Sequence, residues 1–303
     1  MLVQLHRVTK TYRGASRPAV NDVTLTVAHG ERLGIIGANG SGKTTLLRLI
    51  MQFILPDSGS VRIGDGGAHP LSRVGFVPER QVGLENFTPR ELLGYAARMY
   101  GLPPEGVSAR IEEILALTGL QAAGDDLLEG FSKGMVQRAH IGAALIHRPA
   151  LLILDEPMSG LDPAGRREVR DLLERLADLT LIMATHDLEQ LETFCSAAII
   201  IHEGRLVERV EIGALEVEEI VVDLHPAALT VLDSLLDGRP EILHERPERV
   251  RVRFQAPPGF VERLIGELAE RQLPPLLRLR SRSILEDLYL RYVQGRADDA
   301  TPS

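Results

Sequence analysis

Short apolar runs alternate with stretches of helical periodicity between residue 30 and about residue 205. The apolar runs are typical of buried strands and lie at Arg32–Ile36, Val74–Val77, Leu151–Leu154, Thr180–Ala184 and Ala198–His202. Helical spacing of apolar residues covers 42–53, 88–100, 108–118, 132–147, 163–177 and 187–194. Because strands buried on both faces are almost continuously apolar and are joined by helices, this order predicts an α/β fold with a mostly parallel sheet.

A helix start is encoded at Thr88-Pro89-Arg90-Glu91. A hydroxyl cap, a proline in the first turn and a glutamate three residues after the cap coincide there. No convincing strand pattern follows as far as Gly130. The sequence therefore predicts a helical insertion, about 86–147, within a first domain that covers residues 1–212.

The pattern changes after residue 213. Strands are predicted at Glu218–Leu224, Glu241–Glu245, Arg249–Phe254 and Leu276–Arg280, and helices at Pro226–Leu236, Gly259–Arg271 and Ser283–Tyr292. This β-α-β-β-α-β order is that of a ferredoxin-like α+β domain, which we expect at 213–295. The polar end of the chain, 296–303, is predicted to be a disordered tail.

Composition narrows the possible classes of function. The 303-residue chain has a formal net charge of -8, which gives no support to nucleic-acid binding. Its one cysteine, Cys195, has no partner for an internal disulfide, as is usual in a reducing cytosol. The first residues lack a signal-peptide pattern, and the apolar runs have the length of strands rather than of bilayer spans. If the protein works at a membrane, we expect another chain to supply the membrane-spanning part.

A phosphate-binding loop is the strongest chemical signal. Residues Gly37–Thr45 match G-x-x-x-x-G-K-[ST] between a predicted strand and a predicted helix. The glycines let the backbone turn tightly, so that successive N–H groups point at anionic oxygens. Lys43 is placed to reach the β- and γ-phosphates, and the Thr44 hydroxyl to ligate Mg²⁺. The alternative is a glycine-rich turn that only caps a helix. The predicted nucleotide-binding residues are Gly37, Asn39, Gly40, Ser41, Gly42, Lys43, Thr44 and Thr45.

Two carboxylates and a histidine follow two other predicted strands. Asp155 is assigned to Mg²⁺ and Glu156 to the attacking water, although acids at this point are equally compatible with a helix cap. His186 follows Thr180–Ala184, and a single histidine is more often structural than catalytic. The carboxyl ends of parallel strands meet at one edge of a sheet, which favours the functional interpretation for all three residues.

With these residues in place, the first 210 or so residues resemble the ATP-binding-cassette (ABC) transporter ATPases. The distinguishing segment is Phe131-Ser132-Lys133-Gly134-Met135, which is similar to the family's Leu-Ser-Gly-Gly-Gln signature but departs from it at Lys133 and Met135. The resemblance implies that Ser132 and Gly134 bind the γ-phosphate of ATP held by an opposite subunit. It also implies that Asp162, in Ser159-Gly-Leu-Asp162, belongs to a loop that crosses to the partner's site.

Further roles follow from the same resemblance. Tyr12 corresponds to the aromatic residue that stacks on adenine, although an aromatic residue in this position is as often part of the core. His186 corresponds to a catalytic switch histidine. Glu79 stands where most members have a glutamine that contacts Mg²⁺ and the attacking water, and it is therefore assigned to both metal binding and catalysis. The extra negative charge puts the usual hydrogen-bonding role of that loop in doubt.

The resemblance implies an ATP- and Mg²⁺-dependent ATPase that powers a transporter by closing a cassette dimer. Glu79, the signature segment and Ser283-Ile-Leu-Glu-Asp-Leu-Tyr-Leu are together similar to the type 2 exporter branch. The implied partners are an integral membrane permease and a second cassette, identical or different, at the cytoplasmic face of the membrane, with no nucleic acid. Two alternatives remain: a cassette ATPase without a transport role, and a nucleotide-sensing regulatory protein. The transported substrate is not encoded in any motif that we recognise.

Overall fold

The computed structural model describes residues 1–64, 70–80, 83–212, 218–236, 238–257, 260–282 and 284–293. The chain divides into two compact units, Met1–Val210 and Glu211–Ser303. The predicted tail at 296–303 and residue Ser283 lie outside the described residues. Among the helices that are described, none has both the length and the apolar character needed to cross a bilayer.

The main sheet of the first unit has the strand order β5-β6-β7-β3-β8-β9 within the described residues. Its strands are β3 (Arg32–Ile36), β5 (Val74–Val77), β6 (Leu151–Asp155), β7 (Thr180–Ala184), β8 (Ala197–His202) and β9 (Arg205–Glu211). The pairings β5/β6, β6/β7, β7/β3 and β3/β8 are all parallel. Every residue of β6 and β7 is buried, which explains their continuous apolar sequence. The α/β prediction is confirmed.

A second, antiparallel sheet was missed by the pattern analysis. It consists of β2 (Val20–Val27), β1 (Val3–Lys10) and β4 (Ser58–Ile63), in that order. Buried and exposed positions alternate along β2, as in a sheet with one face on the core. The buried side chains of β1 and β2 join those of β3 in one hydrophobic cluster.

The helices of the first unit agree with their predicted positions to within a few residues. They are α1 (Lys43–Ile50), α2 (Pro89–Met99), α3 (Val107–Thr118), α4 (Lys133–Leu145), α5 (Pro163–Glu174) and α6 (Leu188–Phe194). The helix start at Thr88 is present as encoded: its hydroxyl accepts from the Glu91 backbone N–H at 3.2 Å, and the Glu91 carboxylate accepts from the Thr88 N–H at 3.0 Å. No strand is described between α2 and α4, as expected for the helical insertion.

The second unit contains a four-stranded antiparallel sheet in the part of the chain that is described, with the order β11-β12-β10-β13. Its elements are β10 (Glu218–Leu224), α7 (Leu229–Leu235), β11 (Glu241–Arg246), β12 (Arg249–Ala256), α8 (Phe260–Glu270), β13 (Arg278–Arg282) and α9 (Ile284–Val293). This order is the ferredoxin-like arrangement that the sequence predicts. Strand β13 lies two residues later than the predicted Leu276–Arg280.

A buried carboxylate is held on this sheet by two arginines. The Asp223 side chain on β10 is 1% exposed, and it accepts from Arg251 Nε at 2.6 Å and also from Arg249. The hydrogen bonds from Arg251 and Arg249 lower the pKa of Asp223 from 3.8 to about 2. The ionised carboxylate therefore stabilises the folded second unit.

We expect Asp223→Asn to lower the free energy of unfolding by about 2 kcal/mol at pH 7, because charge-assisted hydrogen bonds are lost. The folded pKa lies below the unfolded value of 3.8, so the stabilisation is complete above about pH 4 and is lost as the pH falls toward 2. Urea unfolding at pH 7 and pH 3, with hydrogen exchange of β10 and β12, measures the difference. The control is Glu241→Gln, which removes an exposed partner of Arg253 and should change little. Equal effects of the two variants would contradict the assignment.

Candidate active site

The phosphate-binding loop leads from the end of β3 into α1. Gly42 caps α1 with a φ of 112°. A Cβ atom at Gly42 would lie 2.2 Å from the carbonyl oxygen of Ala19, so a side chain is excluded by space as well as by backbone conformation. The N-terminus of α1 thereby opens into a cavity of about 310 Å³. This is the geometry in which a helix N-terminus binds anions.

The cavity brings together most of the predicted site residues. Ten of them line it: Asn39, Gly40, Gly42, Lys43, Thr44, Thr45, Glu79, Asp155, Glu156 and His186. Ala19 and Ser159 also line it. Analysis of the sequence did not assign these two to the site. Ala19 carries no chemical signal, whereas Ser159 lies in a segment that the sequence had singled out.

Lys43 is the cationic side chain of this cavity. Its ammonium group donates to the Gly37 carbonyl oxygen at 2.7 Å and lies 3.4 Å from the Ala38 carbonyl oxygen. Burial lowers the pKa of Lys43, while the negative charges of Glu156, Asp155 and Glu79 oppose that shift. The ammonium group is thus held at the loop, close to three carboxylates.

Thr44 and Asp155, which line the same cavity, are in direct contact. The Thr44 hydroxyl donates to Asp155 Oδ2 at 3.2 Å, which joins the first turn of α1 to the end of β6. Burial raises the pKa of Asp155, the Thr44 hydrogen bond opposes that, and the neighbouring charges of Glu156 and Glu79 add to the rise. A cation at this point would favour the ionised carboxylate.

Glu156 and His186 are in direct contact. His186 Nδ1 lies 2.9 Å from both carboxylate oxygens of Glu156, and the Thr185 hydroxyl donates to Glu156 Oε2 at 3.2 Å. Glu156 has a φ of 48°, unusual for a residue with a side chain. Its backbone N–H donates to the Ala184 carbonyl oxygen at 2.8 Å, so the end of β7 fixes this conformation. The role of Thr185 was not assigned from the sequence, although a polar residue between an apolar strand and a histidine is a usable signal.

Six predicted residues do not line the cavity: Tyr12, Gly37, Ser41, Ser132, Gly134 and Asp162. Gly37 contributes the carbonyl oxygen that accepts from Lys43, and the Ser41 side chain is buried beside it. The Tyr12 hydroxyl lies 3.5 Å from the Thr45 hydroxyl, at the margin of the site, with Tyr12 39% exposed.

Ser132 and Asp162 each cap a helix. Ser132 Oγ accepts from the Met135 N–H at 3.2 Å at the start of α4, and Asp162 Oδ1 accepts from the Gly165 N–H at 2.8 Å at the start of α5. A Cβ atom at Gly134 would lie 2.8 Å from Gly165 Cα, so the two helix starts are in contact. The signature segment and the loop before α5 therefore form one structural unit.

Comparison with known proteins places this geometry in a family. A family model described as ABC transporter matches residues 20–159. The chain is 37% identical over 207 residues to ABC transporter ATP-binding protein NatA of Bacillus subtilis, which covers 65% of this chain and 82% of that protein. It is 30% identical over 289 residues to Nod factor export ATP-binding protein I of Ralstonia nicotianae, which covers 92% of this chain and 90% of that protein.

A solved structure shows the same fold. It is described as the dimeric, post-hydrolysis state of the ATP-binding cassette MJ0796 bound to ADP and phosphate, with a TM-score of 0.61 at 25% identity over 70% of this chain and 99% of that one. The expected resemblance to the cassette ATPases is thus confirmed. The chain belongs to the ABC transporter family, as an ATP-binding subunit with ATPase activity.

Proposed function

We propose that two such cassettes bind MgATP between them at the cytoplasmic face of a membrane and drive export through a separate permease. The observation that carries the proposal is the single cavity in which the phosphate loop, Asp155 and the Glu156–His186 pair meet. Each of these groups corresponds to one requirement of phosphoryl transfer: anion binding, metal binding and positioning of the nucleophile.

The nucleotide is held by its phosphates. When nucleotide binds, the Lys43 ammonium group donates to oxygens of the β- and γ-phosphates instead of to backbone carbonyl oxygens. The negative phosphates then stabilise the charge of this buried ammonium group. Backbone N–H groups at the start of α1 contribute further donors. Tyr12, beside Thr45 and partly exposed, is positioned at the margin where the adenine ring would lie.

Thr44 and Asp155 fit a magnesium ion. Cis oxygen ligands of octahedral Mg²⁺ are about 3 Å apart, since each lies about 2.1 Å from the metal. Thr44 Oγ1 and Asp155 Oδ2 are 3.2 Å apart. Mg²⁺ usually keeps several water ligands and takes others from phosphate oxygens, so two protein ligands are sufficient. Bound there, the ion would neutralise charge on the phosphates, and Glu79 would lie near it.

Glu156 is the group that activates water. In the proposed step a water oxygen attacks the γ-phosphorus, the bond from that phosphorus to the ADP oxygen breaks, and the water's proton passes to the Glu156 carboxylate. His186 and Thr185 hold the carboxylate in place. His186 has a 63% exposed side chain, so it is also open to the γ-phosphate.

The predicted residues outside the cavity support pairing of two cassettes. Ser132 and Asp162 are exposed at adjacent helix starts. The N-terminus of a helix favours binding of an anion. We assign these residues, with Gly134, to the ATP of the opposite cassette. The dimeric form of the solved cassette MJ0796 supports this arrangement.

Coupling to a permease requires an apolar contact surface. Exposed apolar side chains occur on the helical insertion, in the segment after α1 and in the turn before β5: Tyr95, Met99, Tyr100, Leu127, Phe53, Leu55 and Leu71. Exposed apolar residues of this kind mark protein interaction sites when they lie together. Export is favoured by the relative that is named for Nod factor export, which aligns over both units of the chain.

Lys43→Ala should weaken ATP binding by about 100-fold or more, because a buried charge-assisted contact to the phosphates is removed. Titration calorimetry with MgATP measures the dissociation constant of each variant. Arg48→Ala is the matched control, since Arg48 is an exposed cation on the same helix. ATP affinity equal to that of the unsubstituted chain would exclude the assignment of Lys43.

Glu156→Gln should keep MgATP binding and reduce turnover by about 100-fold or more, because the amide cannot accept the water's proton. Steady-state ATPase rates and size-exclusion chromatography with ATP report hydrolysis and dimer accumulation. Glu129→Gln, an exposed change outside the cavity, should leave both unchanged. Unimpaired turnover in Glu156→Gln would remove Glu156 from the mechanism.

Glu79→Gln should lower the KM for MgATP by about two- to fivefold, since one negative charge facing the phosphates is removed at an exposed position. The effect should shrink as ionic strength rises. Glu105→Gln, which removes the same charge from an exposed loop outside the cavity, is the control. A KM that rises in Glu79→Gln would show that the carboxylate binds the metal rather than repelling the nucleotide.

A further inference from the structure

A second cavity lies on the β11–β12 hairpin of the second unit. It has a volume of about 450 Å³ and is lined by Leu243, His244, Arg246, Arg249 and Arg251. This volume is within the usual range for small-molecule sites. Three of the five lining residues are arginines, in a chain whose net charge is -8.

Strand register places two of these arginines directly opposite each other. Arg246 of β11 pairs with Arg249 of β12, and His244 pairs with Arg251. Like charges directly across an antiparallel pair destabilise it. Asp223 is the carboxylate that compensates, and it is shared by Arg249 and Arg251.

Arg246 differs from its two arginine neighbours because no described carboxylate pairs with it. Its Nε donates to His244 Nε2 at 2.9 Å, and it makes no ion pair with any residue in the described part of the chain. All three guanidinium-bearing residues, Arg246, Arg249 and Arg251, line the cavity. With one carboxylate against three guanidiniums, the cluster has an excess of positive charge that an anion would balance.

We propose that this cavity binds a phosphate group. A guanidinium matches the geometry of phosphate oxygens and can donate to two of them at once. Asp223 binds Nε and Nη2 of Arg251 and one nitrogen of Arg249, which orients both groups and leaves their other N–H groups, with those of Arg246, for the phosphate. Single-stranded RNA is a weaker fit, since it is bound by bases stacked on aromatic side chains. The exposed positions described on β11 and β12 carry no Phe, Tyr or Trp. The phosphate belongs either to a soluble molecule or to a lipid headgroup.

The test uses the full chain with Lys43→Ala throughout, so that the remaining contribution of the first phosphate site is the same in every sample. Pyrophosphate without magnesium is titrated by calorimetry, and binding to vesicles is measured with phosphatidylglycerol in phosphatidylcholine and with phosphatidylcholine alone. The variant is Arg246→Gln, which leaves the Asp223 ion pairs intact. The control is Arg239→Gln, which removes the same charge from an exposed position outside the cavity.

Arg246→Gln should weaken pyrophosphate binding about tenfold, and Arg239→Gln should not change it. Arg246→Lys should give an intermediate loss, because it keeps the charge but not the fork. Binding that is confined to phosphatidylglycerol vesicles and depends on Arg246 assigns the site to a lipid headgroup. Equal losses in Arg246→Gln and Arg239→Gln, or no binding of either probe, would overturn the proposal. Thermal unfolding of each variant excludes loss of the fold as the cause.

Discussion

Ala184 fixes the geometry of the active site. It pairs in parallel register with Asp155 of β6 on one side and with Ile35 of β3 on the other. The phosphate loop, the acid pair and the segment leading to His186 therefore begin at neighbouring strand ends on the same edge of the sheet. The 3.2 Å hydrogen bond from Thr44 to Asp155 and the 2.9 Å contact from His186 to Glu156 are possible only in this register. A shift by one residue would move these groups about 3.3 Å and turn them to the other face.

Electrostatics in the cavity explain why nucleotide and metal would bind together. The described lining contains one ammonium group, from Lys43, and three carboxylates, from Glu79, Asp155 and Glu156. A polyphosphate alone meets repulsion from the carboxylates, and a divalent cation alone meets repulsion from Lys43. A magnesium–polyphosphate complex offers the phosphate oxygens to Lys43 and the metal ion to Asp155, so that each charge meets its opposite in one cavity. Burial strengthens both interactions, since the local dielectric constant is lower than that of water.

The parallel sheet and the lining of the site were predictable, because continuous apolar strands and a strict loop motif are strong local signals. The antiparallel sheet of β1, β2 and β4 was not. Alternation of apolar residues with polar ones such as Thr24 and His6 is present in β1 and β2, but it does not show which strands pair. Strand β4 begins with Ser58-Gly59-Ser60, which is a weak strand signal, and it pairs with β1 from about 55 residues away. The contact between Gly134 and Gly165 also could not be predicted from the sequence, since it depends on how the starts of two helices pack against each other. Ala19 lines the site only because of where the fold places it. An alanine side chain has no functional group from which this role could be predicted.

The net charge of this chain does not predict whether it has local sites for anions. The value of -8 argues against a polyanion that covers a large surface, yet both cavities that we assign to phosphate depend on a few fixed donors. In the first unit the donors that we propose are backbone N–H groups and one lysine, and three carboxylates, which a metal ion would neutralise, line the same cavity. In the second unit Asp223 neutralises part of the charge of Arg249 and Arg251 but also fixes their guanidiniums, and Arg246 adds a cation that nothing described offsets. The two sites should therefore differ in their need for magnesium, since three carboxylates are among the described residues that line the first cavity and none is among those that line the second.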